Sequence, residues 1–488
     1  MRVSEYYELG LNQPVLEFLD VDMDTDTRVF VDPFALRLIN TDWAREAVSV
    51  LQDFYTEVLH AVRGGDRAEV MYLFSHLGEV NEAHLGLSRN QSRGSGVSDG
   101  LAETLFNAFV DSPAMTSGVV DELEESILFI EGIGHDRLSD MTINIIKSSL
   151  IEFTQSMCEE YGMELIDGID SGFMWNRHNH SWDVQHVKLP MAPSKLLLIP
   201  KAVVRKTNTF NPGGYLQHFV LPYFQNRELA IPGSPLIEQR VSRPGRPGAF
   251  YVTKKSLRQQ RLDAVGNDQA KAWNTEATAE HPELLAAYRE AALKKTQPPS
   301  HEILAQATGT PLPDWEDLRR AVVEVEPGRA AADDYHRAIQ HFLNALLYPA
   351  LALPQREFRI HEGRKRLDIM YANQAESGFF KWVRDSQHVE CGQVVVECKN
   401  YVGPLSNPEF DQLTGRFSNQ RGRLGILCYR GFGDDKPNVI RHCRDAALDG
   451  RGYVLALDDE DLGHLLAARA SGEDTEFAFL LERFNQLI

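Results

Sequence analysis

The last third of the chain carries the clearest alternation of apolar and polar positions. Between Asp333 and Tyr348 the apolar residues fall at 335, 338, 339, 342, 343, 346 and 347, a stripe along one side of a helix. Glu357–His361 and Arg366–Tyr371 read as two strands. Val394–Cys398 is a largely apolar run ending in charge, the pattern of a central strand buried on both faces. A helix is expected from about Asn407 to Phe417, with Asn407-Pro408 at its start. Strands at Leu424–Tyr429 and Tyr453–Leu457 then alternate with helices near Asn438–Leu448 and from Asp461. The order α-β-β-β-α-β-α-β-α predicts an α/β domain over 328–488, with a mixed central sheet flanked by helices.

The preceding sequence is patterned differently. Residues 1–165 read as a mainly helical N-terminal domain. Short apolar runs at Val15–Leu19 and Val29–Val31 surround an acidic stretch. Helical spacing follows over Trp43–Arg63, Ala68–Val80, Leu101–Phe109 and Met141–Gly162. Ser88–Gly100, rich in glycine and serine, is expected to be a loop. Residues 166–315 read as a mixed or β-containing middle region, with short runs at Phe173–Trp175, Trp182–Val187 and Leu196–Ile199. Proline-rich breaks at 231–248 and 297–314 place the last domain boundary before Pro327-Gly328.

Charge adds a local contrast. The chain of 488 residues has 50 Lys and Arg against 70 Asp and Glu, a net of −20. That excludes a uniformly basic coat for nucleic acid and argues against an anionic membrane partner. Residues 354–445 nevertheless hold 15 basic and 12 acidic side chains, a net of +3. The stretch 240–261 has seven basic residues and no acidic one, with Phe250 and Tyr251 among them, a composition compatible with a nucleic-acid arm. Five cysteines without a CxxC pair suit reduced thiols better than a structural zinc site. The N-terminus lacks an apolar signal core and no long apolar run occurs, so a cytoplasmic location is expected.

The chemistry concentrates on two strands. Alternation sets Glu397 and Lys399 on one face of the third strand, and Asp368 lies on the strand before it. If those strands are neighbours, two carboxylates meet beside a lysine. With the main-chain carbonyl of Cys398 they make a hard oxygen set, suited to Mg²⁺ or, in its place, Mn²⁺. A metal held there can polarise a phosphodiester, and Lys399 can orient the attacking water.

Arg366-Leu367-Asp368-Ile369 followed by Glu397-Cys398-Lys399-Asn400 resembles the PD-(D/E)xK nuclease superfamily, over about residues 330–460. The resemblance implies a restriction-endonuclease-like fold. It casts Asp368 and Glu397 as metal ligands, Lys399 as the catalytic lysine, and Gln412 as a polar group near the phosphate. Leu367 stands where the proline of the superfamily's name would be. The resemblance also implies cleavage of DNA, in antiviral defence or restriction, by a homodimer or larger assembly. The N-terminal region would then recognise or regulate, with or without a protein partner. RNA cleavage, or an inactive nucleic-acid-binding scaffold, remain alternatives. Accessory roles at the site are expected of Asp334, His336 and Asn400. Phosphate contacts are expected of Arg364, Lys365, Arg366, Arg416, Arg421 and Arg423.

Other patterns lead elsewhere. Asp20, Asp22, Asp24 and Asp26 begin like a calcium loop, but Thr25 and Val31 stand where it needs Gly and Glu. His178, His180 and His186 lack an acidic partner at a recognised spacing. Gly134–Asp140 reads as a polar contact loop or a helix cap. No Walker A sequence occurs.

Overall fold

The computed structural model of the chain describes residues 1–86, 98–116, 118–240, 248–266, 269–294, 297–360, 365–431, 436–472 and 478–488. The expected loop at 88–100 falls almost entirely outside the described residues, as does 241–247 of the basic stretch.

The C-terminal domain opens with α1 (Ala332–Leu346). Its buried residues include Tyr335, Ile339, Phe342, Leu343 and Leu346, the stripe seen in the sequence. Five strands follow: β1 (Leu351–Ile360), β2 (Lys365–Asn373), β3 (Gln393–Lys399), β4 (Leu424–Tyr429) and β5 (Tyr453–Asp458). They form one sheet in the order β5-β4-β3-β2-β1. β1 and β2 pair antiparallel, as do β2 and β3, while β3-β4 and β4-β5 are parallel. The fold is therefore mixed α/β, with a five-stranded mixed sheet flanked by helices. All seven residues of β3 are buried, which explains their apolar run.

The parallel pairs need crossovers. Between β3 and β4 this is α3 (Asn407–Thr414); between β4 and β5 it is α4 (Lys436–Leu448). Ser406 and Glu409 cap the start of α3 reciprocally, and Pro408 sits in its first turn. Gly425 on β4 leaves room for the Phe417 ring, which would come within 2.9 Å of an added Cβ. That packing seats the segment carrying Arg416. Among the described residues three helices of this sheet's core escaped the sequence pattern: Trp315–Val323 ahead of α1, α2 (Gly378–Asp385) between β2 and β3, and a terminal helix at Ala478–Asn485. α2 buries Phe379, Phe380 and Val383, too short a repeat to show above the strands beside it.

Upstream, one apolar core takes in both the 1–165 and 166–315 stretches and extends to Tyr348, Ala352, Leu353 and Ala372 of the C-terminal domain. Most of it is helical. The expected strands around 173 and 182 form an antiparallel hairpin, Ile166–Asn176 with Ser181–Leu189. Leu196–Ile199 is buried but forms no strand. Its backbone bonds scatter: Leu197 N–H donates to Glu82 O, Leu198 N–H to the Thr154 hydroxyl, and Ile199 O accepts from Leu19 N–H. Among the described residues no helix is long and apolar enough to cross a membrane.

The two parts meet through this apolar core and through a buried polar network. Glu17, 3% exposed, accepts from the Tyr161 hydroxyl and from the side-chain amides of Gln340 and Asn344 on α1. Tyr371 on β2 donates to Asn344 Oδ1 at 2.7 Å. Gln374 and Gln393 donate to the backbone carbonyls of Leu38 and Asn40. Burial pushes the Glu17 carboxyl up and lowers Lys201 to about 7, each countered by the other's charge. Lys201 donates to Pro14 O and lies 4.4 Å from the Tyr348 ring centre. Lys201→Met removes the countercharge from a buried carboxylate and is expected to cost on the order of 3 kcal/mol. Urea unfolding checks this. Adding Glu17→Gln should restore part of the loss, and a double variant as weak as the single one would refute the coupling.

Candidate functional site

The antiparallel ladder of β2 and β3 pairs Met370 with Val395 and Ile369 with Val396. One further step in that register would set Asp368 opposite Glu397. There the ladder gives way to a side chain: Cys398 N–H donates to Asp368 Oδ2 at 2.8 Å. β1 and β2 stay paired through Leu367 and Arg366 while β3 continues without β2. The parting of the strands helps open a cavity of about 830 Å³, lined by Asp368, Glu397 and Lys399 with residues of α1 and α3.

Three of the expected residues form one connected group. Lys399 Nζ donates to Glu397 Oε1 at 2.8 Å and to Gln412 Oε1 at 3.2 Å. Gln412 is held by α3, as the sequence predicts. Glu397 is 1% exposed and Lys399 9%. Asp368 stands beside them through its bond to Cys398 N–H. The Cys398 thiol lies on the opposite face of β3, and burial pushes it well above the ordinary thiol range, so it is not a thiolate ligand. Its carbonyl faces His336, whose Nε2 lies 3.2 Å away and 3.8 Å from Asp368 Oδ2. His336 thus stands between the two oxygens expected to share a metal. Among the described residues no three His, Cys, Asp or Glu side chains group as a metal cage. The expected set is different in kind, two carboxylates and a main-chain carbonyl. Its hard oxygens suit Mg²⁺ provided Glu397 exchanges one of its present partners.

Other expectations change. Arg416 does not reach outward for phosphate: its side chain is 8% exposed and forms an ion pair with Glu397 Oε2. Asn400 is 2% exposed and its amide is committed to the backbone. It donates to Glu326 O and Gly328 O at 2.9 Å each and to Ala331 O at 3.2 Å. Asp334 is 69% exposed, with its nearest basic partner Arg337 on its own helix; burying Tyr335 turns Asp334 to solvent. Arg421 is half-buried and donates to Arg416 O. Arg423 precedes β4, whereas Lys399 lies beside Tyr429 at the strand's other end, about 20 Å along it. Lys365 and Arg366 start β2, and Arg364 lies outside the described residues.

Sequence reasoning missed Arg329 and Asp411, both of which line the cavity. Arg329 comes from a single 3-10 turn before α1, which has no periodic signature. Asp411 is paired with Arg451 at 2.6 Å. In the basic stretch, Phe250 is 63% exposed, and Arg261 pairs with Glu276. The polar segment at 134–140 begins a helix, His135–Ile145, whose His135 ring bonds Asn208.

Residues 8–211 match the family model described as a domain of unknown function, DUF8370. That match ends well before the cavity on the C-terminal sheet. No curated protein and no solved structure matches the chain.

Two outcomes follow from this geometry. Asn400→Ala releases the turn that leads into α1, and should lower stability by about 2–3 kcal/mol in urea unfolding. In the N-terminal part, burial and the nearby Asp136 and Glu79 push the Asp140 carboxyl up to about 8. The folded chain then holds a proton that the unfolded chain releases near pH 4. That contribution to stability is complete below the unfolded value and lost as pH rises through about 8. Asp140→Asn should therefore unfold at higher urea than the parent at pH 8.5, with the gap closing toward pH 5. Equal midpoints at pH 8.5 would refute it.

Proposed function

We propose that the C-terminal domain is a metal-dependent endonuclease of the PD-(D/E)xK kind, hydrolysing phosphodiester bonds of DNA. The observation that carries this reading is the meeting of Asp368, Glu397, Lys399 and Gln412 where β2 and β3 part. The order of elements supports it too: a leading helix, three antiparallel-paired strands with the acids on the second and third, then a crossover helix to a parallel strand.

When bound, Mg²⁺ would polarise the scissile phosphate and lower the pKa of a bound water. Asp368, Glu397 and the Cys398 carbonyl are the groups that would hold it. Glu397 and Gln412 fix the Lys399 ammonium at the cavity wall, where it can orient that water and meet negative charge as it develops. The surrounding net of +3 over 354–445 favours a polyanion. The large N-terminal part, docked through Glu17, would recognise a target or gate the cut. Defence or restriction is the setting in which such control of a nuclease makes sense. A homo-oligomer would supply two centres for two strands. RNA is the second reading, since the same groups act on either backbone.

Supercoiled plasmid and a single-stranded RNA, each incubated with Mg²⁺ and then with EDTA, test the proposal. Nicking that needs the metal and falls on the order of 100-fold in Lys399→Ala is expected. Matching thermal melts would show both proteins folded. Equal cutting by the two would sink the assignment, and cutting of RNA alone would move it to the second reading.

A further inference from the structure

Glu397 has both carboxylate oxygens occupied by cations. Oε1 takes Lys399, and Oε2 takes Arg416, at a site where Glu397 is 1% exposed. Asp368 differs: it accepts from a main-chain N–H, with the His336 ring at 3.8 Å. A divalent cation bound to a carboxylate oxygen at about 2.0–2.1 Å would set a second positive charge directly beside the guanidinium on Oε2. Lys399 has a second partner in Gln412 and is held on the far oxygen. That repulsion therefore falls on Arg416. Its side chain lines the same cavity, so the guanidinium moves toward the space a phosphate would fill. Arginine grips phosphate through paired N–H bonds.

We propose that Arg416 is a positioning residue that exchanges between Glu397 and a substrate phosphate, so that divalent cation and polyanion bind this cavity together. The inference rests on the metal-dependent nuclease reading. Without polyanion, Arg416 competes with the cation for Glu397. With polyanion bound, the guanidinium has another anion and the carboxylate is released. Linkage makes the effect reciprocal: each ligand raises affinity for the other by the same factor.

Free Mn²⁺, followed by electron paramagnetic resonance, measures cation binding to the full chain with and without a saturating phosphorothioate DNA duplex that resists cutting. The wild-type chain should bind Mn²⁺ about tenfold tighter with duplex than without. Arg416→Gln should bind Mn²⁺ about tenfold tighter than wild type without duplex, and the duplex effect should shrink below about threefold. Arg416→Lys keeps a cation of shorter reach and should fall between the two. It also decides the matter if melting shows that Arg416→Gln does not fold. Wild-type Mn²⁺ affinity and an undiminished duplex effect in the folded variants would overturn the exchange while leaving the nuclease reading intact. No Mn²⁺ binding by any of the chains, with or without duplex, would overturn both.

Discussion

A carboxylate placed in the central strand of a sheet has to be neutralised where it stands. Taking a charge out of water costs several kcal/mol unless an opposite charge and hydrogen bonds replace the lost hydration. Glu397 meets this constraint with two cations, Lys399 from its own strand and Arg416 from the segment after α3. Much of the site is arranged around that requirement. Lys399 is aimed by it, Gln412 completes the lysine's partners, and Phe417 against Gly425 seats the chain that delivers Arg416. An apolar residue of similar size at 397 would be the simpler solution for stability alone.

The same constraint explains what could be read from the sequence. Glu397 and Lys399 stand out because they interrupt an apolar run, and period-two alternation puts them on one face. Asp368 is legible for the same reason on its own strand. Arg416 shows only as one of several arginines, because a guanidinium's partner depends on where α3 returns the chain. That return is set by the parallel pairing of β3 with β4 and has no local signature. Asn400 follows the lysine and so invites a functional reading. Its amide instead satisfies three carbonyls of the turn before α1, contacts some seventy residues away in the chain. The α1 stripe was plain because seven apolar residues follow helical spacing. The short helix after β2 offers too few to register.

The junction between the parts poses a related problem with a different answer. Glu17 is buried beside Lys201, and burial raises the carboxyl and lowers the lysine while each is countered by the other's charge. Neutral donors do the rest of the work: a tyrosine hydroxyl and two amides. Such groups hold direction more strictly than apolar contacts, which slide. The junction therefore fixes the N-terminal part against α1 and β2 in one register.

That register reaches the cavity along a single helix. His336, Gln340 and Asn344 are spaced by four residues and fall on one side of α1, about 12 Å from end to end. Two of the three bond Glu17, and the third faces Asp368 and the Cys398 carbonyl. Tyr371, three residues after Asp368 on β2, bonds the same Asn344. The helix and the strand that bring His336 and Asp368 together are thus both tied to one carboxylate of the N-terminal part. A helix transmits a shift along its axis with little loss, because each turn is hydrogen-bonded to the next. His336 and the two residues that hold Glu17 therefore lie on one hydrogen-bonded element, which makes the junction and one wall of the cavity parts of the same helix.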